Sequence, residues 1–337
     1  MSAELKLMTA AAESSKAWII ISRLVVVSVF WMILVGGMVT SKDAGMAVPD
    51  WPLSFGSLNP PGWWEEELVA LEHGHRLFGA LTGIFVIALL VTMYLTPKAR
   101  PYLWLGWIAM VGVVVQGFLG GYRVRLETAG FIELATLLRI LHGFLAQAYF
   151  CLVLGIAVLA KQPRYEPSER SEDRRLLVPL CGLMAALFIQ LILGATMRHH
   201  GWGLAIPDFP LSNGQWVPAF TSLPVVLAFA HRAWAFVILA GILWLASQVF
   251  LSEQQGKRSR SLAGWMTGLV FVQVLLGASV IWMKEAPIPT TFHVLNGALL
   301  LGVTFVFLMR ALLAKRDGDP ESANPENVQS ELERAHA

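Results

Sequence analysis

Glu72-His73-Gly74-His75-Arg76 stands at the mouth of an apolar run covering residues 77–95. A charge at the centre of a bilayer costs ~2.5–3.5 kcal/mol on insertion scales, so ionisable side chains at such a run need a purpose. Glu72 precedes His75 by three residues, which puts carboxylate and imidazole on one helix face, a turn apart. Ala230-His231-Arg232 forms a second such mouth, and His142 and His293 open two further apolar runs. Four helix-borne histidines in two matched pairs read as axial ligands for two haems. Imidazole is a common axial ligand, and the facing helices of a bundle are where cofactor sites are built. The residue four positions after each histidine is small: Gly79, Ala146, Ala235 and Gly297. That leaves room for a porphyrin, although small residues also serve plain helix packing in membranes.

Arg76 and Arg232 each follow a candidate ligand. An arginine fork can bind a haem propionate bidentately, and an arginine at a helix end can equally snorkel to lipid headgroups. Arg123, Arg125, Arg198 and Lys284, at the ends of other runs, are further propionate candidates. The two mouths differ in one place: Glu72 precedes His75 by three, whereas Ala228 holds that spacing before His231. An acid/base group beside one haem alone suits chemistry there and electron transfer at the other. The competing reading of Glu72 is a first-turn carboxylate favoured by the helix dipole. His73, His199 and His200 fall in or near loops and read as solvated.

The elements that must position these groups follow from composition. Of 337 residues, 56% are hydrophobic and 14% charged. Soluble domains carry about 25% charged residues, so the chain reads as a polytopic membrane protein. A net charge of +2 gives no reason to expect nucleic acid. Runs close to the ~20 residues that cross a bilayer lie at about 17–40, 76–96, 102–122, 134–160, 176–197, 223–250, 262–283 and 290–313. The first reads as an uncleaved span, and Pro97 and Pro101 mark a tight turn between the second and third. Cys151 and Cys181 lie in apolar runs and read as small hydrophobes; with no CxxCH, covalent haem attachment is excluded. Lysine and arginine gather on one side of an eight-span arrangement, which places both termini in the cytoplasm and the histidines toward the outer face.

The chain repeats itself. Val48-Pro49-Asp50-Trp51-Pro52-Leu53-Ser54 returns as Ile206-Pro207-Asp208-Phe209-Pro210-Leu211-Ser212. His75-Arg76 returns as His231-Arg232, Gln116 to Gly120 as Gln273 to Gly277, and His142 as His293, at offsets of 158, 156, 157 and 151 residues. Four landmarks in register indicate an internal duplication. The Pro-Asp-aromatic-Pro segments read either as rigid lids over the two sites or as loops with interfacial aromatic anchors. The expected fold is an all-α integral membrane protein of eight transmembrane helices in two pseudo-symmetric four-helix bundles, residues 17–160 and 176–313. A cytoplasmic segment (1–16), a linker (161–175) and a disordered tail (314–337) flank them.

Taken together, these motifs resemble the haem A synthase family over residues 17–313. The resemblance implies oxidation of the C8 methyl of haem O to a formyl, through a hydroxymethyl stage, in the inner membrane of a bacterial-type cell. It also implies that His231 and His293 ligate a haem b cofactor, with Arg232 beside them. His75, His142 and Arg76 would hold the substrate haem, and Glu72 would be the essential carboxylate. Some relatives carry a cysteine pair in the first loop of each half; this chain has none there. The implied partners are haem O, the lipid bilayer, and a haem O synthase or cytochrome oxidase assembly factors; homo-oligomer formation stays open. A haem carrier or exporter, or a b-type cytochrome without haem-modifying activity, is the alternative. Glu72 on one side only speaks against it, because transport has no evident use for that asymmetry.

Overall fold

A computed structural model of the chain describes residues 3–161 and 174–316. The expected linker and tail therefore lie largely outside the described residues. Among the described residues eight α-helices follow one another: α1 (Ala3–Ser41), α2 (Glu67–Leu95), α3 (Leu103–Thr128), α4 (Ile132–Ala160), α5 (Leu177–His199), α6 (Leu223–Leu251), α7 (Lys257–Trp282) and α8 (Pro287–Arg316). Each is long and apolar enough to cross a membrane, and no strand occurs among the described residues. Helices are what such sequences must form: lipid offers no hydrogen bonds, so every N–H and C=O has to be satisfied within the segment. The prolines that fall in these helices, Pro179, Pro224, Pro287 and Pro289, sit in first turns, where a missing N–H costs nothing. Pro97 and Pro101 form the expected tight connection, a 3₁₀ turn over Pro97–Tyr102.

Several helices start earlier or end later than their apolar runs, two of them at the polar residues of interest. Helix α2 begins at Glu67 rather than near residue 76, so Glu72, His73 and His75 all lie inside it. Helix α3 continues to Thr128 and carries Arg123 and Arg125 on its last turns. Apolar runs mark only what lipid touches; these polar turns are sheltered by loops. At the other extreme, α1 starts at Ala3, so most of the expected N-terminal segment is continuous with the first span.

Packing neighbours are α1 with α2, α2 with α3, α3 with α4 and α4 with α1, then α5 with α6, α6 with α7, α7 with α8 and α8 with α5. Between these two sets, α1 meets α8, α4 meets α5, and α4 meets α8. Helices α4 and α8 are the inner ones, with 44% and 50% of their most apolar stretch buried, against 11% and 17% for α3 and α7. Cys151 is buried in α4 as expected, but Cys181 on α5 is exposed; both are free thiols. Polar clasps also join the sets: Arg198 of α5 donates to Gly37 O (2.9 Å) and Ser41 Oγ (2.7 Å) on α1, and Thr291 of α8 donates to Ser41 Oγ (3.0 Å).

Candidate functional site

The loops after α1 and α5 are fastened by the same set of backbone carbonyls. Arg76 Nη1 donates to Asp50 O (2.7 Å), Leu53 O (2.9 Å) and Ser54 Oγ (3.2 Å), and Nη2 donates to Val48 O (2.9 Å). Arg232 does the same to Asp208 O (2.7 Å), Leu211 O (3.0 Å) and Ile206 O (2.7 Å). Asp50 accepts from the amides of Phe55 and Gly56, and Asp208 from those of Asn213 and Gly214. Those amide pairs sit at positive φ (50° and 75°; 53° and 75°), as the centre of a two-residue type I′ turn requires. The amides of Gly214 and Asn213 hold the Asp208 carboxyl below the usual carboxylate range. Partial burial works against ionisation of Asp50, but the Gly56 and Phe55 amides and the Arg76 charge outweigh it. Both loops are thus fastened to α2 and α6 by the arginine that follows the candidate ligand. The forks read from sequence as possible propionate binders are engaged with loop carbonyls, and what they offer a ligand is chiefly their charge.

One volume exchange distinguishes the copies. A Cβ at Gly121 would overlap the Trp51 indole, while the second copy pairs Phe209 with Ala278 at the corresponding places. Gly121→Ala is therefore expected to lower thermal stability, overpacking costing ~1–3 kcal/mol. Adding Trp51→Phe, which copies the second half, restores most of the loss. Thermal unfolding of the single and double variants in detergent checks this, and absence of recovery would sink the exchange.

The four candidate ligands line a single cavity of about 770 Å³. Each imidazole lies against a glycine of the preceding helix. An added Cβ would stand 3.0 Å from Cε1 of His75 at Gly36, 3.1 Å from that of His142 at Gly120, 3.0 Å from that of His231 at Gly194 and 3.2 Å from that of His293 at Gly277. Gly79, Ala146, Ala235 and Gly297, expected to leave room beside the histidines, all line the cavity. Three glutamines join the histidines: Gln190 Nε2 donates to His231 O (3.0 Å), Gln273 Nε2 donates to His293 O (3.0 Å), and Gln116 approaches His142 Nδ1 (2.9 Å) when its amide nitrogen faces the ring. His75 lies within electrostatic reach of His142, and His231 of His293. Among the described residues no three His, Cys, Asp or Glu side chains gather as a metal chelate. Imidazoles in opposed pairs, backed by glycine and facing a large apolar cavity, fit a haem iron and its porphyrin. Nδ1 of His75 and of His231 is buried with no hydrogen-bond partner, an unmet polar atom in each half.

Glu72 is 3% exposed, but its carboxylate stands one step behind the cavity wall. Oε2 accepts from Val48 N (2.8 Å) and Oε1 from Arg76 Nη2 (2.8 Å). Arg76, which does line the cavity, is thus charge-paired in the first half, while Arg232 has Ala228 in place of that partner. The loop histidines are a correction to the sequence reading. His73 is 2% exposed inside α2, with Nδ1 2.8 Å from Ser54 Oγ and Trp63 packed on its ring, because the loop folds over it. His199 ends α5 and lines the cavity, within electrostatic reach of Arg198, Arg139, Arg123 and His142. His200 caps the same helix, Nδ1 lying 2.8 Å from Thr196 O, and stacks on Trp202. The sequence reading also missed Gln190 and Arg139. A Gln-x-x-x-Gly pattern at 116–120, 190–194 and 273–277 would have found the first.

A family model for cytochrome oxidase assembly proteins (COX15-CtaA) matches residues 17–305. The heme A synthase of Caulobacter vibrioides is 28% identical over 85% of this chain and 94% of its own length. That of Symbiobacterium thermophilum is 31% identical over 73% and 79%, and that of Bacillus licheniformis 24% identical over 84% and 92%. With a match spanning the eight helices from the first to most of the last, the chain belongs to the COX15-CtaA family of cytochrome oxidase assembly proteins.

Proposed function

We propose that this multi-pass membrane protein is a haem A synthase that oxidises the C8 methyl of haem O to a formyl in two successive two-electron steps. In the first step a C–H bond gives way to a C–O bond, with water supplying the oxygen, to give the hydroxymethyl haem. In the second the hydroxymethyl loses two hydrogens. Each step passes two electrons to an acceptor outside the chain and two protons to solvent. The observation that carries the reading is a duplicated set of histidines with a carboxylate three residues before a ligand in the first half only, Glu72 before His75 against Ala228 before His231. Glu285, which lines the cavity, stands instead within electrostatic reach of Arg198. The names of the relatives support it. Haem O, as substrate, is held between His75 and His142. Arg198, which lines the cavity, supplies positive charge for its propionates, with Arg123 and Arg139 behind it sharing the Glu127 carboxylate, and His199 beside it offers a ring nitrogen. Its isoprenoid tail gains ~0.8 kcal/mol per CH₂ by lying in lipid. A haem b between His231 and His293 supplies one-electron redox chemistry when bound.

The residues bias electron flow. Arg76 is neutralised by Glu72, so positive charge developing on the substrate is not opposed there. Arg232 has no such partner, and its charge favours the electron-accepting state of a group beside it. Two halves in parallel put both sites near the Pro49 and Pro207 loops, with Lys98, Arg100, Arg174, Arg175, Lys257 and Arg258 at the opposite, cytoplasmic end. The test is the extracted haem profile of cells making haem O, with and without this protein. New haem A, together with its alcohol precursor, is the expected result. A purified protein that binds haem b but yields no modified haem would overturn it in favour of a carrier.

A further inference from the structure

The four histidine seats are built alike except for one side chain. One helical turn before each backing glycine, on the same face, stand Met32 on α1, Gln116 on α3, Gln190 on α5 and Gln273 on α7. Each glutamine reaches its histidine twice, at the backbone carbonyl and at the ring. Gln116 lies 3.3 Å from His142 O and 2.9 Å from Nδ1 with its amide nitrogen inward, and in that pose its oxygen accepts from Ala146 N (2.9 Å). Gln190 Nε2 lies 3.0 Å from His231 O and 3.3 Å from Nε2. Gln273 Nε2 lies 3.0 Å from His293 O and 3.2 Å from Nε2, and its own oxygen is fixed by Asn296 Nδ2 (2.7 Å). An amide can present a donor or an acceptor to a ring nitrogen, which is what a ligating imidazole needs to keep its orientation.

Met32 can do neither. Its thioether is at best a weak acceptor, and its methyl packs toward Gly79, 3.5 Å from where a Cβ would stand. His75 Nδ1 is left buried without a partner. His231 Nδ1 is also unpartnered, but Gln190 holds that residue by its backbone carbonyl, a contact that survives when Nε2 is turned to an iron.

We infer that the glutamines are positioning residues for three of the axial histidines, and that Met32 makes His75 the releasable one. The first half then grips a haem from the His142 side and opens on the His75 side. The second half grips from both. This assigns a route for exchange: substrate haem enters and product leaves by breaking the His75 bond, while the second-half haem stays. The inference rests on the proposal that the first half handles a substrate haem.

The experiment is haem transfer to apomyoglobin from the purified full-length protein loaded with haem b, followed by absorbance. Two phases are expected for the wild type. Loss of an outer hydrogen bond to a metal ligand typically changes affinity ~10–100-fold. Met32→Gln is therefore expected to slow the fast phase about tenfold without touching the slow one. In the reverse exchange, Gln273→Met is expected to accelerate the slow phase by a similar factor and shift the low-spin EPR signal of that site alone. Met32→Leu, which removes sulfur without adding an amide, leaves both phases as they are. Unchanged rates in Met32→Gln, with the wild-type spectrum, would overturn the inference. Should that variant not fold, unchanged slow-phase kinetics and EPR in Gln273→Met would overturn it equally. Haem A yield is scored separately in the wild type. Formation of haem A with no response to either exchange sinks this inference alone. The predicted rate changes without haem A sink the synthase reading alone.

Discussion

Glu72→Ala is expected to cut haem A yield by about 100-fold, the scale seen when a preorganised electrostatic partner is removed, while leaving the fold and both haem sites intact. The protein contains its own control for the fold. In the second half Ala228 occupies this position, and the loop above it is still clamped by Arg232 through three carbonyls. Arg76 retains the same three carbonyls and the Ser54 hydroxyl without the carboxylate, so the first loop should hold as well. What the substitution removes is the charge that neutralises Arg76 beside the cavity. Glu72→Gln removes that charge too, but turns an amide toward two donors, Val48 N–H and Arg76, and so adds a local cost. Haem profiles of both variants, with thermal unfolding and bound haem per chain, separate the two effects. The midpoint potential of the first-half haem should rise in both, since an uncompensated cation favours reduction. Wild-type haem A yield in Glu72→Ala would show that the asymmetry of the two halves has no chemical use.

His231→Ala is the second large effect. Removing one axial ligand of the second half is expected to lose about half of the bound b-type haem, roughly the 10–100-fold affinity range of a disturbed metal site or beyond, and with it haem A formation. Haem O binding in the first half should survive. A subtler variant tests the same seat from the other side. Gly194→Val puts side-chain atoms where even a Cβ would stand 3.0 Å from His231 Cε1. The displaced imidazole can move only into the cavity, the space its haem would fill, so this variant should reproduce the loss without altering any ligand. Pyridine haemochromogen quantification on both variants is the measurement. Full haem content in Gly194→Val would mean that the glycine only serves helix approach.

How far the sequence could be read depended on what each feature rests upon. The eight helices, the four histidines and the small residue after each were legible because they follow from composition and spacing within one segment. The duplication was legible because identical loops must be encoded twice. The arginine clamps were not, since Arg76 looks alike whether it faces a propionate, a headgroup or the carbonyls of Val48, Asp50 and Leu53. His73 looked solvated because its cover, Ser54 and Trp63, comes from a loop about 10 to 20 residues earlier. Glu72 was found by its spacing, but its place behind Arg76 depended on Val48 N, a contact across 24 residues. Gln116 and Gln273 were noticed as repeat landmarks only and Gln190 not at all, because their contacts with the histidines span 20 to 41 residues between different helices.

The two loops clamped through matching carbonyls carry a consequence for descent. A symmetric dimer of identical four-helix chains could have built both seats, but it could never have made them unequal. Any substitution in such a dimer appears on both sides at once, so a glutamate above one ligand would have stood above the other too. Joining the copies in one chain removed that constraint. Glu72 against Ala228 and Met32 against Gln190 are differences that a dimer of one gene product cannot carry. Under the proposed function, fusion let one ancestral pocket take up two trades, one altering its guest and letting it go, the other keeping its guest.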